Sequence, residues 1–341
     1  MLYIVIVTPR CNSNCIYCGG FDKDAMPEEI QYSLDDLKYF IDSVMKDKNP
    51  SIAFYGGEPL LEIEKIKNIM DKIHAEHYIL QTNGLLLDKV DRDYLERFST
   101  ILISFDGRKE THEFYRGNYT KVLENVRRTR RYFNGELIAR MTASKKTDIF
   151  EDVKHILSLD LFTHVHWQID AVWSEYSDEF KRWVEFYNAG IRKLVDFWVD
   201  EIRRGIMHNI VPFLGVATAI TKGYTYPPCA SGKRSFVIAP DGRVLACPIC
   251  PELEWNVLGD IYSGVKREIE ILDPCPKCSY FKFCGARCLF FNRERLWGEE
   301  GFKLVCSTVK NLADSVLQYK EELRELKINY PKYLNTTEII P

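Results

Sequence analysis

Short apolar runs and amphipathic stretches alternate along the first 205 residues. Strand-like runs fall at 3–8, 51–55, 78–82, 100–105, 136–142 and 164–170. Between them, at 33–47, 61–74, 88–97, 119–133 and 148–160, an apolar residue recurs every three or four positions. A period of two reads as strand and one near 3.6 as helix. Their strict alternation predicts βαβ units on a parallel sheet. Six such units give an α/β fold, a partial (β/α)6 barrel of TIM type, with its active site at the carboxyl ends of the strands.

A longer helix carries Phe180, Trp183, Tyr187, Ile191, Leu194, Trp198 and Ile202 on one stripe, which reads as core packing. Beyond about residue 206 the periodicity fades, and Gly, Pro and Cys crowd the segment from Pro227 to Cys288. That is the composition of a small region held by metal rather than by a core. A last helix is expected from Ser307 to Lys327, with Val309, Leu312, Val316, Tyr319, Leu323 and Leu326 on one stripe. The expected organisation is a barrel over 1–205, a linker over 206–228, a cysteine-rich domain over 229–306, and a helix and tail over 307–341.

Composition narrows the class. The 341 residues are 46% hydrophobic and 28% charged with a net charge of −3, so nothing calls for a nucleic-acid partner. Arg127, Arg128, Arg130 and Arg131 read as a solvated helix face. The opening Leu2–Val7 run lacks a basic flank and a cleavage site, and no apolar stretch reaches bilayer length. A cytoplasmic location without a membrane partner is expected. There, eleven cysteines are poor candidates for disulfides. Three lie within the first 18 residues and eight between Cys229 and Cys306. Metal ligation is the natural reading.

Cys11-x3-Cys15-x2-Cys18 follows the first predicted strand. Three thiolates at this spacing can hold three irons of a cubane and leave the fourth open, a catalytic rather than a structural feature. A zinc site with a distant fourth ligand is the alternative. With Tyr17 before the third cysteine and Gly56-Gly57-Glu58-Pro59 ending the second strand, the pattern resembles the radical S-adenosylmethionine (SAM) superfamily. The resemblance implies a [4Fe–4S] cluster on Cys11, Cys15 and Cys18 with SAM at its open iron. It further implies that the glycines let backbone approach the ligand closely. Glu58 and neighbouring carbonyls would receive the SAM amino group.

Gln81-Thr82-Asn83-Gly84 and Ser104-Phe105-Asp106-Gly107 resemble segments that line the SAM pocket in that family. The period of two groups Leu102 with Ser104 and Asp106, Arg140 with Thr142, and His164 with His166, Gln168 and Asp170. Arg140 is a candidate partner for the SAM carboxylate. Asp106, Asp170 and Tyr17 are candidate proton acceptors. Ordinary hydrogen-bonded barrel residues remain the alternative for each.

Cys229, Gly242-x4-Cys247, Cys275-x2-Cys278-x5-Cys284-x3-Cys288 and Cys306 resemble, cysteine by cysteine, the SPASM domain with its two auxiliary [4Fe–4S] clusters. The resemblance assigns Cys275, Cys278, Cys284 and Cys306 to the distal cluster. It assigns Cys229, Cys247 and Cys288 to the one nearer the barrel, with Cys250 as the candidate fourth ligand. Were that iron open, it would bind substrate directly.

Three clusters and SAM imply reductive cleavage of SAM to a 5′-deoxyadenosyl radical, an external reductant of flavodoxin or ferredoxin type, and net oxidation of the target. A peptide or protein substrate, matured by thioether or carbon–carbon links, is the first expectation. The chain opens straight into strand one, so a leader peptide would dock elsewhere or on a separate protein. Pro248 stands where anaerobic sulfatase maturases carry an acidic residue, which argues against that activity. The alternatives are oxidation of a small-molecule cofactor precursor and, outside enzymes, an iron–sulfur or zinc electron carrier. A carrier has no use for the Gly56-to-Pro59 motif.

Overall fold

The computed structural model describes residues 1–20, 25–171 and 175–325. Six strands, β1 (Leu2–Thr8), β2 (Ser51–Gly56), β3 (His77–Thr82), β4 (Phe98–Ser104), β5 (Glu136–Ala143) and β6 (His164–Ile169), pair in parallel and in sequence order. Helices α1 (Leu34–Tyr39), α2 (Ile63–Lys72), α3 (Arg92–Leu95), α4 (Lys109–Tyr115), α5 (Tyr119–Arg130) and α6 (Ile149–Ser158) occupy the crossovers. This is the expected partial (β/α)6 arrangement. Alternation along each strand divides the core. Tyr3, Val5, Val7, Phe54, Leu80, Ile103 and Trp167 pack in the large cluster with the helices, whereas Leu2, Ile4, Ile6, Ala53, Ile79, Leu102 and Ile138 form a separate inner cluster.

The long helix α7 (Asp178–Arg203) buries the predicted aromatic stripe. Beyond α7 the chain departs from the expected organisation. The expected linker contains α8 (Val211–Ala219), a helix buried on nearly every side; with no polar face, it offers no amphipathic period to detect. The cysteine-rich region is not separate from the sheet. Strand β7 (Ser235–Ile238) pairs in parallel with β1, and β8 (Arg243–Leu245), β9 (Val257–Asp260) and β10 (Gly264–Val265) extend the sheet in antiparallel fashion. Val237, Ala239 and Leu245 join the inner cluster, so a hydrophobic core supports this region as well.

After the short helices α9 (Phe281–Cys284) and α10 (Leu289–Glu294), the last helix starts earlier than expected, as α11 (Gly298–Leu317), and is followed by α12 (Lys320–Glu325). Cys306 therefore lies inside a helix. Leu326 and Lys327 lie outside the described residues. Helix α11 packs on α7 through Arg192 to Asn311 at 2.6 Å and Asn311 to the Asn188 carbonyl at 3.0 Å. No helix among the described residues is long and apolar enough to cross a membrane.

Candidate active site

The first cysteine loop leaves the carboxyl end of β1. Cys11 and Cys18 are exposed and Cys15 is half-buried. Backbone N–H groups of Ser13 and Gly20 donate to the Cys11 and Cys18 sulfurs at 3.4 Å each, and Cys18 N–H closes a turn on the Cys15 carbonyl at 3.0 Å. Burial raises the Cys11 and Cys15 thiols; the Ser13 N–H counters it at Cys11 and the Arg116 charge at Cys15. Among the described residues no three His, Cys, Asp or Glu side chains converge as ligands of a single ion. A cubane takes each thiolate on a separate iron.

The Gly-Gly-Glu-Pro segment holds this loop. A Cβ on Gly56 would stand 2.1 Å from the Thr8 carbonyl oxygen, and one on Gly57 would stand 2.3 Å from that of Arg10 and 2.5 Å from that of Pro9. The glycines thus admit the backbone leading into Cys11. Gly57 and Glu58 N–H groups bond the Thr8 and Arg10 carbonyls at 3.0 and 2.8 Å. The Glu58 side chain is 0% exposed. It accepts from Leu60 N–H at 3.0 Å, the Thr82 hydroxyl at 2.7 Å and Asn83 N–H at 2.7 Å. This carboxylate thus braces the ends of β2 and β3. Thr82 belongs to the same brace. Asn83 Nδ2 reaches Asn12 Oδ1 at 2.7 Å and Ser13 Oγ at 3.2 Å, inside the cysteine loop.

Tyr17 and Asp106 are not free proton acceptors. The Tyr17 hydroxyl donates to Asp106 Oδ2 at 2.5 Å. Arg116 grips both Asp106 oxygens, Nε to Oδ2 at 2.7 Å and Nη2 to Oδ1 at 3.1 Å, and Thr142 N–H adds a bond at 2.9 Å. Arg116 also lies 5.2 Å from the centre of the Tyr17 ring. The sequence pattern gives no sign of Arg116, because α4, which delivers it, has only a short and weakly apolar stripe. Asp170 stands at the end of β6 and accepts from the Ser144 hydroxyl at 3.0 Å.

Register places Ser104, Arg140 and His166 side by side on β4, β5 and β6. They follow Leu102, Ile138 and His164 on the inner face, so the interior passes from apolar to polar toward the strand ends. Burial lowers Arg140 to about 10, with the Tyr55 phenol opposing. His166 is 1% exposed, and among the described residues its Nε2 has no hydrogen-bond partner; burial, aided by Arg140, holds the ring neutral.

The C-terminal cysteines fall into two electrostatically linked sets. Cys229, Cys247, Cys250 and Cys288 act on one another, as do Cys275, Cys278, Cys284 and Cys306. A hydrogen bond donated by the Cys247 thiol to Cys250, and then burial, push that thiol well up. Asn256, which no sequence motif singles out, is 0% exposed. It accepts from Cys247 N–H and donates to the Cys247 and Cys250 carbonyls, each at 2.8 Å, fixing Cys250 beside Cys247. Tyr55, on the inner face of β2, feels both Cys18 and Cys247. Two sets of grouped cysteines, N–H donors to sulfur and the buried Arg140 guanidinium fit thiolate-bound iron and a cofactor carboxylate.

The Radical SAM superfamily matches residues 5–159. The radical SAM cyclopropyl synthase TigE of Paramaledivibacter caminithermalis is 23% identical over 279 residues, 71% of this chain and 56% of that one. An uncharacterized Methanocaldococcus jannaschii protein is 32% identical over 111 residues, 30% of this chain and 38% of that one. The GTP 3′,8-cyclase of Campylobacter jejuni is 33% identical over 113 residues, 31% and 35% of the two chains. This chain thus spans 38% and 56% of the lengths of its first two relatives. The structure of native anSMEcpe with bound AdoMet and Cp18Cys peptide shares the fold, with a TM-score of 0.73 at 19% identity over 96% of this chain and 99% of that one. Residues 5–159 thus match the Radical SAM superfamily, on a fold shared with the anSMEcpe structure.

Proposed function

We propose that this enzyme oxidises a peptide or protein side chain, forming a thioether or carbon–carbon link, with three [4Fe–4S] clusters and SAM. Cys11, Cys15 and Cys18 would hold the SAM-side cluster. Cys229, Cys247, Cys250 and Cys288 would hold the nearer auxiliary cluster, and Cys275, Cys278, Cys284 and Cys306 the distal one. When bound, these groups supply a carbon-centred radical that takes a hydrogen atom from substrate, and a sink for the electron left behind.

The chain's own residues position and shield this chemistry. Arg140 and Ser104 offer a cation and a hydroxyl to a carboxylate. The apolar lower interior, with Ile4, Ile79, Leu102 and Ile138, keeps water out. The Glu58 and Asp106 braces fix the cysteine loop so that its thiolates keep their places.

The observation that carries the reading is Tyr55. Its phenol, pushed up to about 12 first by burial, feels Cys18 of one set and Cys247 of the other. Both sets therefore lie within electrostatic reach of one inner-face side chain, an arrangement that suits radical generation followed by electron removal. A second reading, oxidation of an anionic small molecule, draws on the Ser104–Arg140–His166 row and on the likeness to a GTP cyclase.

Anaerobic reconstitution tests the reading. About twelve irons per chain are expected, 5′-deoxyadenosine with SAM and a strong reductant, and a loss of two mass units from a peptide encoded beside the gene. Zinc in place of iron without 5′-deoxyadenosine sinks it; oxidation of a nucleotide or cofactor precursor alone favours the second reading.

A further inference from the structure

Gly285, Ala286 and Arg287 come one after another with φ of 57°, 69° and 54°. Glycine enters this left-handed region freely; alanine and arginine do so only at a cost, and such strain collects at functional sites. Arg287 is fixed there by its N–H on the Cys284 carbonyl at 2.7 Å. Its side chain does not escape to solvent: the residue is 8% exposed, with the guanidinium 5.8 Å from the centre of the Phe291 ring. A buried arginine on strained backbone is an expensive arrangement for mere packing.

The chain positions on either side explain it. Cys284 belongs to the distal set and Cys288 to the nearer one, and Arg287 lies between them in sequence. Its charge acts on the sulfurs of Cys284 and Cys306 in one set and of Cys288 in the other. We propose that Arg287 is a shared positive charge that raises the reduction potential of both auxiliary clusters. Adding one electron to a cubane adds one negative charge. A fixed cation in a poorly hydrated site stabilises that reduced form, and net charge and exposure are established levers on such potentials. One residue thereby makes both clusters readier to accept an electron.

The proposal rests on the reading that the two cysteine sets hold clusters. Reconstituted wild type, Arg287→Gln, Arg287→Gly and Arg287→Lys are compared by iron analysis and by potentiometric titration followed by electron paramagnetic resonance. Arg287→Gly relieves the backbone strain, so a folding defect in Arg287→Gln does not leave the question open. In Arg287→Gln and Arg287→Gly both auxiliary potentials should fall, by about tenfold in the reduction equilibrium, ~59 mV for one electron. The SAM-side cluster should not move, and Arg287→Lys should keep most of the wild-type values. Wild type with only about four irons overturns the cluster reading and this proposal together. Full iron with unmoved potentials, or a shift at one auxiliary cluster alone, overturns this proposal and leaves the cluster reading standing. Loss of auxiliary iron from every variant, Arg287→Lys included, also counts against it, since a purely structural role predicts that result.

Discussion

Tyr17 donates its phenolic hydrogen to Asp106 across 2.5 Å, and this bond fastens the cysteine loop to the end of β4. Arg116 completes the group by gripping the same carboxylate with two nitrogens. Breaking a buried ion pair from one side leaves a charge uncompensated, at about 3–5 kcal/mol. Asp106→Asn should cost that much in urea unfolding of the metal-free chain. Tyr17→Phe removes one hydrogen bond to a charged group and should cost about 1.5–3 kcal/mol. Equal losses would contradict the dominance assigned to the Arg116 pair.

Gly57→Ala should detach the first cluster selectively. The new Cβ meets the Arg10 and Pro9 carbonyl oxygens, which are backbone and can clear it only if the loop moves. Iron content should fall by about four per chain, with both auxiliary signals retained in Mössbauer spectra. Full occupancy of the SAM-side cluster would refute the anchoring role.

Asn256→Ala leaves the buried Cys247 carbonyl and N–H without partners, each worth about 1–3 kcal/mol, and takes from the Cys250 carbonyl one of its two donors. The turn from Cys247 to Cys250 should loosen, and the nearer auxiliary cluster should be lost before the distal one. Cys250→Ala should leave an iron of that cluster open and able to bind an added thiol, seen as a changed resonance spectrum. No change on thiol addition would remove Cys250 from the ligand set.

Arg140→Gln should weaken SAM binding to the reconstituted enzyme by ten- to a hundredfold, the worth of a charge-assisted hydrogen bond at about 1.5–3 kcal/mol. Equilibrium dialysis with labelled SAM reads this directly. Unchanged affinity would free Arg140 for the substrate.

Acid should destabilise the metal-free chain through buried histidines. Burial lowers His112 and His164 to about 4, and His166 well below its ordinary value. Below about pH 6.5 the unfolded chain takes up protons that these folded imidazoles refuse, so stability falls as pH drops toward 4. Each group contributes up to about 1.4 kcal/mol per pH unit in that window. Urea midpoints at pH 6.5 and 5 should differ, and His164→Gln should reduce the difference. An identical slope in the variant would acquit that histidine.

The parallel strands were legible because a strand's apolar run and a helix's stripe are local properties, written within a few residues of each other. The same holds for the ligand inventory: cysteine spacing is covalent, and no fold alters it. Helix α8 was hidden because it is buried all round and shows no polar face, and α4 because seven residues carry too little period. Roles decided by distant partners were beyond reach. Sequence marked Glu58, Asp106 and Tyr17 as groups for ligand or proton; tertiary structure spends them on Thr82, Asn83, Arg116 and each other. Tyr17 and Asp106 lie 89 positions apart, and only the register of the sheet brings them together. Sequence by itself placed the cysteines and the Gly56-to-Pro59 motif proposed to serve iron and SAM. Packing alone decided that the loop is held by internal braces, that Asn256 seats Cys250, and that Tyr55 comes within electrostatic reach of both Cys18 and Cys247. A side chain's partner is set by where strands pair, and that is settled only when the whole sheet forms.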